Sequence, residues 1–118
     1  MTKKQIIQKV REHLLSQNEK AMDEDTCLYR FAPHHRALLK CAVGCLIPDE
    51  LYNSKMEKVS ASLLTTLCPN LKPWLYAEDL EIKDAEELLE DLQGVHDLSD
   101  VQHWPDELAN VEMYWSTK

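Results

Sequence analysis

The chain has 118 residues and a formal charge of −8 at neutral pH, from 21 acidic against 13 basic side chains. Its 44% apolar content, with only two glycines and five prolines, excludes the disordered and fibrous classes. No apolar run approaches the roughly 18 residues a membrane span needs, and the length sets the expectation at one domain, residues 1–118, around one core.

Thr2 followed by Gln5 reads as a capping box opening an amphipathic helix to about Gln17, with Ile6, Ile7, Val10, Leu14 and Leu15 at three- and four-residue spacing. Polar residues interrupt the segment after the basic start, so export is not expected, and the four cysteines read as reduced thiols. Residues 18–26 lose the helical period and read as a polar loop. Cys27 to Phe31 reads as a short strand, with room for a β-hairpin near residues 27–41. Arg36 to Ile47 reads as a buried helix stopped by Pro48, with Cys41 and Cys45 on one face. Pro48-Asp49-Glu50-Leu51 resembles a new first turn, with proline at its first position.

A short helix is expected from Ser60 to Leu67, ended by Cys68-Pro69-Asn70, and Leu71 to Tyr76 reads as an apolar connector. Ala85, Leu88, Leu89, Leu92 and Val95 define a second strong helix from about Lys83, with Asp84 and Glu87 as its cap. A last helix begins at Pro105, its stripe formed by Trp104, Leu108, Val111 and Trp115. The expected fold is mainly α: a compact bundle of about four to six helices, with that one hairpin. Ile6, Val10, Leu14, Leu46, Leu88, Leu92, Leu108 and Val111 are its expected core.

Charge is segregated along the chain. Residues 1–77 carry 11 basic and 8 acidic side chains, whereas residues 78–112 carry 13 acidic side chains against Lys83 alone. One reading is a solvated helix face that maintains solubility. The sharper one is a docking surface for a basic partner, or an imitation of nucleic-acid phosphate rows, formed by Glu78, Asp79, Glu81, Glu86, Glu87, Glu90 and Asp91. In that helix Glu86, Glu87, Glu90 and Asp91 are expected to face solvent. The net charge disfavours direct nucleic-acid binding, although Lys3, Lys4, Lys9, Arg11, Arg30, Arg36 and Lys40 could form a local basic patch.

Cys27, Cys41 and Cys45 with one histidine, of which His34, His35, His96 and His103 are candidates and His96 the leading one, could supply four ligands to zinc. Their spacing lacks the tight Cys-x-x-Cys knuckles of common zinc modules, so buried thiols and no metal are the expectation. No signature surrounds any cysteine as a nucleophile, and His96-Asp97 reads as a structural histidine beside the Leu92 and Val95 face. No phosphate loop, His-Glu-x-x-His pair, calcium loop or dinucleotide fingerprint is present, so no cofactor is expected. Adjacent acids such as Asp49-Glu50 or Glu86-Glu87 do not face each other on a helix, which argues against a two-carboxylate mechanism.

Cys27-x-Tyr29-Arg30, Lys40-Cys41-Ala42-Val43-Gly44-Cys45-Leu46-Ile47-Pro48-Asp49-Glu50-x-Tyr52, Met56-Glu57, Leu92-Gln93-x-x-His96-Asp97 and Trp104-Pro105 together resemble a family of short uncharacterised proteins of tailed phages and prophages. The chain departs from that pattern between Phe31 and Leu39, where a short glycine turn is usual, and at Lys58, where glycine is common. The resemblance implies a phage origin, the host cytoplasm, and a host protein as target, including restriction or CRISPR machinery. The expected function is a non-enzymatic interaction protein that inhibits a host protein with a basic surface. The alternatives are a small zinc-stabilised module and a small enzyme with a Cys/His site assembled in the fold.

Overall fold

The computed structural model describes residues 1–33 and 37–118. Helix α1 spans Lys3–Gln17, and its capping box forms: Gln5 N–H donates to Thr2 Oγ1 at 3.3 Å while Thr2 N–H donates to Gln5 Oε1 at 2.9 Å. Asn18 ends the helix at φ 55°, its amide bonded to Leu14 O at 2.8 Å. Asparagine is among the few residues that accept this left-handed conformation at low cost.

The segment read as a polar loop contains a tight hairpin. Strand β1, Met22–Asp23, pairs antiparallel with β2, Thr26–Cys27, and Glu24 takes φ 57° in the turn between them. The turn lacks the glycine that usually marks one, so no residue pattern signals it. A second hairpin pairs β3, Arg30–Phe31, with β4, Leu39–Lys40, inside the expected window of residues 27–41. The strand expected from Cys27 to Phe31 is thus divided between two hairpins.

The helix expected from Arg36 to Ile47 does not form. Its described part is β4, a turn, and a single 3-10 turn at Gly44–Leu46. Pairing overrides the apolar run: Cys41 N–H bonds Tyr29 O at 3.3 Å, and the bare backbone of Gly44 packs on the same carbonyl. His34, His35 and Arg36 lie outside the described residues.

Pro48 stands at the N-cap of a 3-10 turn, Asp49–Leu51, rather than at its first position. A 3-10 segment, Ser54–Lys58, follows, with Asn53 Oδ1 accepting from Lys55 N–H at 2.9 Å. Helix α2 covers Ala61–Leu67. The stretch expected as a connector is helical, as a 3-10 turn at Pro69–Leu71 running into α3, Lys72–Leu75, because Pro73 falls in a first turn where its missing N–H costs nothing.

Helix α4, Ile82–Leu98, starts before Lys83 and passes through Gly94 to Leu98. Glu81 stands at its N-cap without a side-chain cap bond, so Asp84 does not cap it. A 3-10 turn, Val101–His103, leads into α5, Trp104–Ser116, with Pro105 in the first turn.

Helices α1, α4 and α5 pack on one another and enclose the core, with the Gly44–Leu46 turn against α1 and α2 against α4. Ile6, Val10, Leu14, Leu46, Leu88, Leu92 and Leu108 are buried as expected, while Val111 is only partly buried at the margin. Each fully buried leucine contributes about 1.5 to 3 kcal/mol of apolar transfer. Trp104 and Trp115 are the largest buried side chains. No helix among the described residues is long and apolar enough to cross a membrane.

Candidate functional site

Gln93, His96 and Asp97 lie three and four residues apart on α4 and so share one face, which meets Cys27 of β2. Gln93 Nε2 donates to Cys27 Sγ at 3.0 Å and to Asp97 Oδ1 at 2.8 Å, while Val43 N–H donates to Gln93 Oε1 at 3.0 Å. One amide thus ties α4 to both the first hairpin and the turn after β4. His96 is fully buried and stacks on Trp104, the ring centroids 5.7 Å apart.

The hydrogen bonds at His96 fix its tautomer. Buried Ala21 donates its N–H to Nε2 at 2.9 Å, so Nε2 carries the lone pair and Nδ1 the proton, which points to Asp97 Oδ1 at 2.7 Å. Burial lowers the imidazole pKa, hydrogen bonds to Asp97 and Cys27 raise it, and these together leave it raised. Ala21 opposes charging, because a second ring N–H would face its own. The neutral Nδ1–H ring is the state that satisfies every partner.

This wiring bears on the chemical alternatives. Cys27 Sγ lies 4.0 Å from Nδ1, the protonated nitrogen, so the ring presents no lone pair with which to deprotonate the thiol. Hydrogen bonding with Cys41 and then burial push the Cys27 thiol pKa up, the reverse of an activated nucleophile. The four-ligand set Cys27, Cys41, Cys45 and His96 is not assembled as such. Cys45 Sγ donates to Ala42 O at 3.0 Å and burial pushes its pKa up to about 12, while Cys41 Sγ accepts from Gly44 N–H at 3.3 Å. The ligand atoms that do converge are those of Cys27, His96 and Asp97, all within 4.8 Å of one another. Placing a cation on Nδ1 leaves Ala21 N–H without an acceptor, and displacing Gln93 releases Val43 N–H, at about 1 to 3 kcal/mol each.

The other residues of the resembling motif form a second polar cluster beside this one. Glu57 accepts from Tyr29 N–H at 2.7 Å, from Arg30 N–H at 3.1 Å, and from the Tyr52 hydroxyl. Burial, then Glu57, pushes the Tyr52 pKa up to about 12. Arg30 lies over the Tyr52 ring, 4.3 Å from its centroid, and reaches Ile47 O at 3.1 Å and Asp49 at 2.7 Å. Lys40 lies 3.5 Å from the same Asp49 oxygen, so these two cations of the expected basic patch are drawn into a local ion cluster. Between the clusters opens a cleft of about 520 Å³, with Cys27, Gln93 and Asp97 on one side and Glu57 to Ser62 on the other.

Comparison with protein-family models, with curated proteins and with solved structures finds no match.

The acidic residues divide into two groups. Asp79 accepts from Lys3 N–H at 2.8 Å, where it meets the positive end of α1. Glu86 accepts from Tyr76 at 3.1 Å and Asp91 from Trp115 Nε1 at 2.8 Å. Glu86 and Glu87 are half-buried rather than fully solvent-facing, whereas Glu78, Asp79, Glu81, Glu90 and, as expected, Asp91 stand exposed. Composition signals none of the hubs at Glu57, Gln93 and the Ala21 amide; the one signal that could have joined Gln93, His96 and Asp97 is their three- and four-residue spacing on α4.

Asp97 links the site to stability. Burial raises its pKa, but hydrogen bonds from His96, Cys27 and Gln93 lower it, and the net value lies below the ordinary 3.8. A depressed carboxyl contributes stability that is present above its unfolded pKa and lost as pH falls through its folded value. Asp97→Asn is expected to be less stable than the parent at pH 6, with the gap closing below pH 3.8. Urea unfolding at both pH values measures it; a gap independent of pH contradicts this role.

Proposed function

We propose that this chain is a non-enzymatic interaction protein that docks a basic protein surface through the acidic residues of its second half. The observation that carries the reading is the segregation of charge, 13 acidic side chains against one lysine over residues 78–112, with Glu78, Glu81 and Glu90 exposed. The residues that resemble phage proteins support it from the other side. Cys27, Arg30, Gly44, Glu57, Gln93 and His96 all make internal contacts, as an architectural set does, and the thiol and imidazole are wired against nucleophile chemistry. The resemblance adds a phage origin, the host cytoplasm and a host enzyme that handles nucleic acid, whose basic groove an acidic face would occupy as a DNA mimic.

Retention of one host protein on the immobilised chain is expected to fall steeply as salt rises past physiological strength, where screening acts within about 8 Å. Retention that is indifferent to salt contradicts electrostatic docking.

A further inference from the structure

We propose that Cys27, His96 and Asp97 form a binding site for a borderline divalent cation, zinc by ligand type, which clamps the first hairpin to α4. A thiolate, an imidazole and a carboxylate are the three donor classes zinc accepts, and here one of each converges within 4.8 Å. The Gln93 amide nitrogen occupies the middle of the set, 3.0 Å from Cys27 Sγ, 2.8 Å from Asp97 Oδ1 and 3.5 Å from His96 Nδ1. It donates to the sulfur and the carboxylate from the place a central cation would take, and stands against the protonated Nδ1 without bonding it. Cys27 and Asp97 both line the cleft, which supplies the entry path and water for a fourth position.

Loading moves Gln93 aside and forms bonds from the metal to sulfur, Nδ1 and the carboxylate. The Cys27 S–H proton leaves to solvent, and the imidazole exchanges its Nδ1 proton for one on Nε2, so one proton is released per ion bound. A bound dication favours the thiolate that burial and Cys41 otherwise disfavour. The Ala21 amide loses its acceptor in the same step, so its resonance reports loading. The three donors are not among the exposed acids at residues 78–90, although Glu90 lines the same cleft, and metal binding does not depend on docking.

The probe is Co²⁺ added to the full reduced chain, followed by absorption. The expected result is one ion per chain with a thiolate-to-cobalt charge-transfer band, displaced by Zn²⁺, together with a shift of the Ala21 amide. Cys27→Ser should abolish the band, Asp97→Asn should weaken binding by about tenfold or more, and Cys68→Ser should leave both unchanged. Circular dichroism confirms that each variant is folded. A folded parent with no charge-transfer band overturns the proposal, as does a band that survives Cys27→Ser or is lost in Cys68→Ser.

Discussion

Gly44→Ala is expected to destabilise the chain by at least about 3 kcal/mol, a large share of the roughly 5 to 15 kcal/mol that holds a domain folded. A Cβ at this position would lie 2.0 Å from Tyr29 O and 2.7 Å from its carbonyl carbon. Both are backbone atoms, so no side chain can rotate out of the way. Tyr29 is itself fixed: its N–H bonds Glu57, its carbonyl accepts Cys41 N–H, and its hydroxyl donates to Val59 O. Relief therefore requires separating β3 from β4. Gly94→Ala is the control, because a Cβ there meets nothing within 4 Å. In the interior of α4 it should stabilise by about 0.5 to 1 kcal/mol. Equal urea midpoints for the two variants would contradict the assignment.

Glu57→Ala should cost about 3 to 5 kcal/mol, and Glu57→Gln nearly as much. The carboxylate serves three donors, two of them backbone N–H groups that hold the start of β3, and each donor left unsatisfied costs about 1 to 3 kcal/mol. Glutamine offers one oxygen. Its amide nitrogen then faces the N–H of either Tyr29 or Arg30, so donor meets donor. Tyr52→Phe removes only the third bond and should cost about 1 kcal/mol. A Glu57→Gln protein as stable as its parent would show that the two backbone bonds contribute little.

The three long helices were legible because α1, α4 and α5 repeat apolar residues at helical spacing, and the Thr2–Gln5 box marks a start that the backbone adopts. Cys41 to Ile47 misled because a short apolar run suits a helix, a strand or a turn alike. What decides it is the Tyr29 carbonyl opposite Gly44, a contact between residues 15 positions apart. The candidate site divides in the same way. His96 as a structural residue followed from its place beside Leu92 and Val95, but Cys27 joins it only through the unforeseen β1–β2 turn. Charge showed where acids concentrate, yet not that Asp79, Glu86 and Asp91 each answer a donor supplied by another part of the fold.

That division selects the measurement that bears most directly on docking. Glu78, Glu81, Glu87 and Glu90 are changed together to glutamine, sparing the three acids with internal bonds, and capture of the proposed host protein is compared with the parent across a salt series. Relief of like-charge pairs such as Glu86 with Glu90 and Glu87 with Asp91 should leave stability unchanged or raise it by a few tenths of a kcal/mol per pair. Capture at physiological salt should fall by about tenfold or more, with the residual binding less sensitive to salt. A folded variant that retains the same host protein as tightly as the parent at every salt concentration contradicts docking through the acidic face.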